Sequence, residues 1–215
     1  MLTLQLFCSL WGLDTGFRSD PADPDSRVVP PVVVDTPPFE ETWAEMEALL
    51  AEGKVKAIGV ANCNIPMLKK ILSFCTVAPM VNQCELHPLF AQHELVAFCT
   101  SKGCRMTAYS PLCSASGVQE IIQSPVLNEI ATEAGRTVAQ VALRWQVQRG
   151  VVVIPKSVKV SRMIENKDLL GWELTAAQMS KIDALDTGRR FVDPPWMHGD
   201  ESVGKPWSWD QDAKL

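Results

Sequence analysis

The residues of this sequence best suited to binding a ligand are two cations at the start of a short predicted helix. Arg162, Glu165 and Asn166 are spaced i, i+3 and i+4, which places them on one face of a helix that begins near Ser161. The N-terminal amides of that helix, with the side chains of Lys156 and Arg162, suit a bound phosphate. The same spacing is typical of a solvated helix face with surface charges, and taken alone it favours that second interpretation.

Histidine and tyrosine supply weaker candidates. His87 and His93 lie near Glu85, but the spacing fits no standard set of metal ligands. We therefore interpret these three residues as packing residues and assign no metal. Tyr109 is the only tyrosine and ends a predicted strand, where a tyrosine is most often a packing residue with its hydroxyl at the surface.

The seven cysteines are an odd number and include no C-x-x-C pair. This usage is typical of thiols in a reducing compartment, and it predicts a cytoplasmic protein. Cys8, Cys99 and Cys104 have no histidine or acid placed to activate them, so we interpret them as core residues rather than nucleophiles.

Composition limits the classes of protein to consider. With 215 residues, 47% hydrophobic and 21% charged, the chain is expected to be a single globular domain. The net charge of -5 and the scattered lysines and arginines argue against nucleic-acid binding. Residues 1–13 are apolar but lack a basic start and a small-residue cleavage site, and they are too short to span a bilayer. We interpret them as a buried strand and expect no membrane partner.

Helical patterns alternate with short apolar runs along most of the chain, an order typical of βα units around a parallel sheet. Five runs are predicted strands: residues 4–9, 55–60, 79–83, 105–109 and 151–154, the last buried on both sides. Helices are predicted over 39–50, from the start at 64–66 through residue 75, over 91–102, around 127–134, and after the capping boxes at Thr137 and Thr175. The first of these helices is expected to take its caps from residues 35–38. Residues 14–38 predict a Pro-rich loop, and residues 191–215 an extended tail.

Four phrases together resemble the aldo-keto reductases, in family order and with family spacing. They are Glu52-Gly53-Lys54-Val55-Lys56-Ala57-Ile58-Gly59-Val60, Val81-Asn82-Gln83, Ala108-Tyr109-Ser110-Pro111-Leu112 and Ile154-Pro155-Lys156-Ser157. The resemblance implies an α/β fold, a TIM (β/α)8 barrel with NADPH across the C-terminal ends of its strands. Counted on that pattern, the chain begins at the fourth strand and holds about five of eight βα units plus a C-terminal helix and tail. We therefore expect an incomplete barrel that does not close.

The resemblance assigns the nicotinamide and pyrophosphate of NADPH to particular positions. Asn62 and Gln83 would hold the carboxamide, and Tyr109 would stack under the nicotinamide ring. Ala61 stands where the family usually has serine, which removes one expected hydrogen bond. The positions along the pyrophosphate are Ser110, Leu112 and Ser114, in a loop that departs from the family at Cys113 and Ala115.

The adenosine end matches the family best. The positions that would grip the 2′-phosphate or meet adenine are Ile154, Lys156, Ser157, Arg162, Glu165 and Asn166. Because the resemblance and the helical spacing agree here, the phosphate interpretation is now favoured over the solvated helix face.

The catalytic residues of the family have no counterpart at the matching positions. Its tyrosine, aspartate and lysine lie upstream of the fourth strand, so Tyr109 is not the catalytic tyrosine. Its histidine ends a phrase resembling L-D-L-Y-L-I-H-W-P; here Trp11 fixes the register, and Leu10 occupies the histidine position. Leucine neither donates a hydrogen bond to a carbonyl nor moves a proton.

Three hypotheses stay open at this point. The first is a truncated, inactive relative of the NADPH-dependent aldo-keto reductases, a pseudoenzyme whose full-length relatives reduce small aldehydes or ketones. The second is a non-enzymatic module that binds NADPH or a protein partner, with self-association through open strand edges. The third is a truncated gene product with no function of its own. The sequence does not name the carbonyl substrate.

Overall fold

The fold was analysed in a computed structural model that describes residues 5–9, 19–20, 23–27, 38–114 and 117–192. The chain divides into two compact units. The first comprises residues 1–78 with 193–215, and the second residues 79–192.

The first unit contains a pair of parallel strands and two helices. Its elements are β1 (Gln5–Ser9), β2 (Ser19–Asp20), β3 (Asp23–Arg27), α1 (Phe39–Ala51), β4 (Ala57–Ala61) and α2 (Ile65–Phe74). Strand β1 pairs with β4 in parallel, from Gln5 opposite Ala57 to Ser9 opposite Ala61. Strands β2 and β3 form a short antiparallel pair. This pair lies inside the predicted loop 14–38, where no alternation of apolar residues marks a strand; the rest of that loop up to residue 37 lies outside the described residues.

Polar contacts at helix ends shape this unit. Asn64 caps α2 by accepting a hydrogen bond from the Met67 amide at 2.9 Å. Helix α1 has Pro38 as its N-cap, within the run 35–38 that was expected to cap it; Pro38 makes no side-chain capping bond, and residues 35–37 lie outside the described residues. Proline lacks a side-chain acceptor but presets the backbone for entry into a helix. Further along α1, the Glu47 carboxylate accepts a hydrogen bond from the backbone amide of Val77 at 2.7 Å. This bond connects α1 to the chain just after α2.

The second unit alternates three parallel strands with six helices among its described residues. In chain order these are β5 (Val81–Glu85), α3 (His93–Ser101), β6 (Arg105–Tyr109), α4 (Gly117–Gln123), α5 (Pro125–Ala134), α6 (Val138–Gln148), β7 (Val152–Val153), α7 (Val160–Lys167) and α8 (Ala176–Asp183). The strands pair in parallel in the order β5, β6, β7. None of the helices in the described part of the chain is both long and apolar enough to cross a membrane.

Capping boxes fix the starts of two helices, as the sequence predicts. Thr137 caps α6 and Thr175 caps α8, and in each case the side-chain oxygen of the glutamine three residues later accepts a hydrogen bond from the cap amide. Helix α6 then packs its apolar face into the core of the unit. Trp145 is completely buried there, and its indole nitrogen donates to Asp183 of α8 at 2.8 Å.

One prediction in this unit was wrong, and one helix was not predicted. The run 151–154 is not buried on both sides, because Val152 and Ile154 are 47% and 45% exposed. Only two of its residues form β7, which pairs with β6 alone among the described residues. The helix predicted around 127–134 is confirmed as α5, which Ser124 caps and Pro125 opens, whereas the separate helix α4 before it was missed.

Candidate functional site

The C-terminal ends of the parallel strands bring several predicted positions to one edge of the second unit. Gln83 lies in β5 opposite Thr107 of β6, and Tyr109 ends β6 opposite Glu85. Ile154 follows β7, and its amide donates to the carbonyl of Ala108 at 3.2 Å. Parallel α/β sheets place ligands at this edge, since the loops that leave the strands converge there.

Tyr109 presents its ring at this edge, while its hydroxyl is buried. The side chain is half-buried, and the hydroxyl makes no hydrogen bond of normal geometry among the described residues. Burial raises the pKa of Tyr109, and the negative charge of Glu85 raises it further. The phenol therefore stays neutral at physiological pH, and the sequence expectation of a surface hydroxyl was wrong.

The loop after β6 is tightly folded. Ser110 and Cys113 both have positive φ, 47° and 64°, and the Cys113 amide donates to the Ser110 carbonyl at 2.8 Å. The hydroxyls of Ser110 and Ser114 lie 2.7 Å apart and form a hydrogen bond. Non-glycine residues adopt this backbone region at a cost of order 1–3 kcal/mol, which tends to be found at ligand-binding loops. Leu112 is half-buried inside the turn.

The predicted phosphate cluster lies around the start of α7. Lys156 and Arg162 are exposed, and in the described part of the chain no carboxylate oxygen lies within 4.0 Å of either cation. The N-cap of α7 is Lys159, which makes no side-chain capping bond, so the first amides of the helix have no side-chain acceptor from that residue. Ser157 shapes the approach, because its hydroxyl accepts the Lys159 amide at 3.1 Å. The helix starts at Val160, one residue before the predicted start.

Helix α7 is held against α6 through polar contacts rather than an apolar face. None of its residues is buried. The Glu165 carboxylate accepts a hydrogen bond from the hydroxyl of Thr137, the cap of α6. Past the end of α7, Asp168 forms an ion pair with Arg136 at 2.6 Å. Glu165 is therefore a structural link between helices, and one carboxylate oxygen is already engaged, while Asn166 lies beside it, half-buried.

Asn62 lies in the first unit, directly after β4, where its φ of 58° marks a sharp turn in the chain. Leu10, which the resemblance assigns to the family's histidine position, lies outside the described residues, so this assignment stays a prediction.

The sequence did not identify Glu85 as a structural centre. Its carboxylate is fully buried and lies 3.1 Å from the Nε2 atom of His87. It also accepts hydrogen bonds from the backbone amides of Phe191 at 2.9 Å and Val192 at 3.1 Å. These bonds hold the segment after α8 against the end of β5. The only local signals were a glutamate at the end of β5 and a histidine two residues later, whereas the backbone amides of Phe191 and Val192 are more than 100 residues away in the chain. His93 lies apart from this pair and approaches Arg149 at 3.4 Å.

Glu85 should make the stability of the second unit depend on pH. Burial acts to raise the pKa of Glu85, but the hydrogen bonds from His87, Phe191 and Val192 outweigh it and hold the pKa below its ordinary value of 4.5. A lowered pKa in the folded state means that the carboxylate stabilises the fold above its unfolded-state pKa, and that this contribution is lost as pH falls through the folded-state value.

We therefore expect Glu85→Gln to lower the free energy of unfolding by about 1.5–3 kcal/mol at neutral pH, the usual contribution of hydrogen bonds to a charged group. The deficit should begin to shrink below about pH 4.3, where the carboxylate of the unfolded chain takes up its proton, and should be lost as pH falls through the lower pKa of the folded state. Urea denaturation of both proteins across this range measures the difference. If the variant were less stable by the same amount at all pH values, the packing of the Glu85 side chain, and not its charge, would hold the segment after α8.

Comparison with known proteins identifies the family. The profile of the aldo/keto reductase family matches residues 18–187, well over half of the chain. The chain belongs to the aldo/keto reductase family. Glyoxal reductase of Bacillus subtilis is 42% identical over 157 residues, which are 73% of this chain and 55% of that protein. Aldo-keto reductase family 1 member A1 of Cricetulus griseus is 41% identical over 166 residues, 74% of this chain and 51% of that protein.

Solved structures agree with this membership of the aldo/keto reductases. The aldose reductase of Schistosoma japonicum superposes with a TM-score of 0.71 at 32% identity, covering 83% of this chain and 56% of that one. An aldo-keto reductase from a deep-sea metagenome superposes with a TM-score of 0.68 at 33% identity, covering 72% and 59%. The chain thus spans little more than half the length of the relatives it matches.

Proposed function

We propose that this chain carries the NADPH-binding part of an aldo-keto reductase, and that the reaction of the whole protein is reduction of a small aldehyde or ketone. The observation that carries the proposal is the arrangement at the start of α7. Lys156 and Arg162 have no carboxylate partner in the part of the chain that the structure describes, and they flank a helix N-terminus whose N-cap residue makes no side-chain capping bond. Such an arrangement suits an anion bearing two negative charges, as a ribose 2′-phosphate does.

The strand ends of the second unit fit the other parts of the same cofactor. Gln83 offers an amide that pairs with a carboxamide, and the half-buried ring of Tyr109 offers a flat face for stacking. The turn from Ser110 to Ser114 supplies hydroxyls suited to a pyrophosphate. The resemblance to the family assigns Asn62 to the carboxamide as well, and this assignment stays a prediction from the sequence. The adenine would lie along α7 beside Arg162 and Asn166, with Glu165 contributing its remaining oxygen.

A bound NADPH would supply a hydride to a carbonyl carbon, and the carbonyl oxygen would then need a proton from a nearby acid. Tyr109, the only tyrosine in the 215 residues, does not fit that role. Its hydroxyl is buried, and its pKa is raised, so it is a poor proton donor. Leu10 stands at the histidine position of the family, and leucine has no proton to give. We propose that these 215 residues bind the cofactor but do not complete the reaction.

The purified chain should therefore show no reduction of aromatic or sugar aldehydes at the expense of NADPH. The rate is measured from the absorbance of the reduced nicotinamide, with substrate and without it. A full-length aldo-keto reductase, assayed under the same conditions, serves as the positive control. Because losing general acid catalysis alone costs about 10²–10⁴-fold, the rate should not exceed that of the blank. A substrate-dependent rate that co-purifies with the chain would contradict the proposed inactivity but not the proposed binding.

A second candidate function is a non-enzymatic module that binds protein, including another copy of the chain. It is favoured by exposed apolar side chains along and after β7, notably Val152, Ile154, Val158 and Val160. Among the described residues β7 uses only one of its edges, so a further strand has a place to pair. Light scattering of the purified chain across concentrations separates this candidate from a monomeric NADPH binder.

A further inference from the structure

The end of α3 brings two cysteines together. Gly103 adopts a left-handed φ of 71° and its amide donates to the carbonyl of Thr100 at 3.1 Å, while the Cys104 amide donates to the carbonyl of Cys99 at 2.9 Å. These two bonds define the Schellman ending of a helix, in which the residue after the left-handed position folds back on the last turn. That contact is usually made by two apolar side chains. Here it is made by the two thiols of Cys99 and Cys104.

Neighbouring polar groups hold the two sulfurs in place. The Cys99 sulfur accepts hydrogen bonds from the Cys104 thiol and, at 3.9 Å, from the side-chain amide of Asn82. Asn82 is fully buried in β5, and its carbonyl oxygen accepts the thiol of Cys84 at 3.3 Å. The side-chain amide of Asn82 thus contacts the sulfur of Cys99 through its nitrogen and the sulfur of Cys84 through its oxygen. These contacts all lie within the second unit, and Cys104 directly precedes β6, at the opposite end of that strand from Tyr109.

We propose that Cys99 and Cys104 are a redox-modification site, at which hydrogen peroxide converts the two thiols into an intramolecular disulfide that thiol reductants reverse. In the first step, the Cys99 thiol loses its proton and the thiolate attacks one peroxide oxygen; the O–O bond breaks, and the departing hydroxide takes up that proton, leaving a sulfenic acid and water. In the second, the Cys104 thiol loses its proton and the thiolate attacks the Cys99 sulfur; the S–O bond breaks, and the departing hydroxide takes up that proton to form a second water. Overall, two thiols and one peroxide give one disulfide and two waters.

The surroundings select Cys99 as the attacking sulfur. The hydrogen bond from Cys104 lowers the pKa of Cys99 and that from Asn82 adds to it, against the opposing effect of burial. Burial raises the pKa of Cys113 to about 12, and burial together with Glu47 raises the pKa of Cys75, although Cys75 is more exposed. If exposure alone decided which thiol reacts with peroxide, Cys75 would react first. The contact with a second thiol and the hydrogen bonds to its sulfur favour Cys99 instead. Access of peroxide requires opening of the last turn of α3, because Cys99 is fully buried and Cys104 is 6% exposed.

Peptide mapping of the full chain after peroxide treatment tests the proposal directly. Trypsin cleavage isolates Cys104 in the tripeptide Gly103-Cys104-Arg105, and a second cleavage after Phe98 separates Cys99 from Cys75 and Cys84. The expected product is a disulfide between the Cys99 and Cys104 peptides, with the loss of two hydrogens from the intact mass and full recovery on reduction. Cys84→Ala should leave this product unchanged, whereas Cys104→Ala should abolish it.

In the Cys104→Ala variant, Cys99 has no resolving thiol and should instead carry a sulfenic acid that a dimedone probe traps. Either of two results would overturn the proposal: a disulfide between Cys99 and Cys84, or oxidation that spares Cys99 and Cys104 while Cys75 reacts. The mapping on wild-type chain decides by itself if a variant fails to fold. Neither outcome depends on cofactor binding, so the proposed function is tested separately.

Discussion

Replacing Lys156 or Arg162 with alanine is expected to weaken NADPH binding by about tenfold or more while leaving NADH binding nearly unchanged. A charge-assisted hydrogen bond to a phosphate contributes about 1.5–3 kcal/mol, and 1.4 kcal/mol corresponds to a factor of ten in affinity. NADH has no 2′-phosphate, so neither cation has a charged partner in that complex. Arg162→Ala also removes one wall of the proposed adenine site, and a small loss of NADH affinity is expected for that variant only.

Lys167→Ala provides a matched control for this pair. Lys167 lies in the last turn of the same helix, so its replacement changes the net charge equally but at the far end of α7. It should leave the preference between the two cofactors unchanged, apart from a weak salt-dependent effect. Calorimetry with both cofactors on the four proteins measures the affinities. Equal losses for NADPH and NADH in Lys156→Ala and Arg162→Ala would mean that the cations support the fold, and the assignment of the 2′-phosphate would be withdrawn.

Trp145→Ala should produce the largest loss of stability among single substitutions in the second unit. The side chain is completely buried, it belongs to the same core cluster as Leu127, Ile130 and Ile182, and its indole nitrogen donates a hydrogen bond to Asp183. Deleting a buried tryptophan costs about 3–5 kcal/mol through lost burial and the cavity left behind. A loss of this size is a large fraction of the stability of an ordinary domain, about 5–15 kcal/mol.

Two further variants divide that loss into its parts. Trp145→Phe keeps most of the volume but removes the hydrogen bond to Asp183, so it should cost less than Trp145→Ala. Trp172→Ala removes a half-buried tryptophan beside Arg136 and should cost about 1 kcal/mol, typical of a partly exposed position. Circular dichroism during urea denaturation reports all three. If Trp145→Ala unfolds at nearly the wild-type midpoint, the helical core is not the main source of stability in this unit.

Local sequence signals predicted the elements that local physics decides. The strand Arg105–Tyr109 was predicted to the residue, and both capping boxes start helices as expected, since a threonine and a glutamine three residues apart form their contacts within one turn. The exposure of Val152 was missed because a run of four apolar residues indicates only that a strand is buried on average. Whether each side chain of the strand is buried depends on the elements that pack on its two faces, and these come from distant parts of the sequence.

The candidate site divides in the same way. The spacing of Arg162 and Asn166 on α7 follows from helical geometry and could be predicted, whereas the Thr137 hydroxyl that engages Glu165 comes from another helix and could not. The buried hydroxyl of Tyr109 was also beyond prediction, because the closeness of Glu85 depends on the register of β5 with β6. Contacts between distant segments are not encoded in any local pattern.

A titration of the wild-type chain with NADPH and with NADH tests the proposed cofactor site most directly. Fluorescence quenching of the tryptophans, measured at low ionic strength and again at high salt, gives both dissociation constants. The account predicts that NADPH binds at least about tenfold more tightly than NADH, and that the preference narrows as salt screens the exposed Lys156 and Arg162. Equal affinity for the two cofactors, or binding of neither by a folded chain, would contradict it.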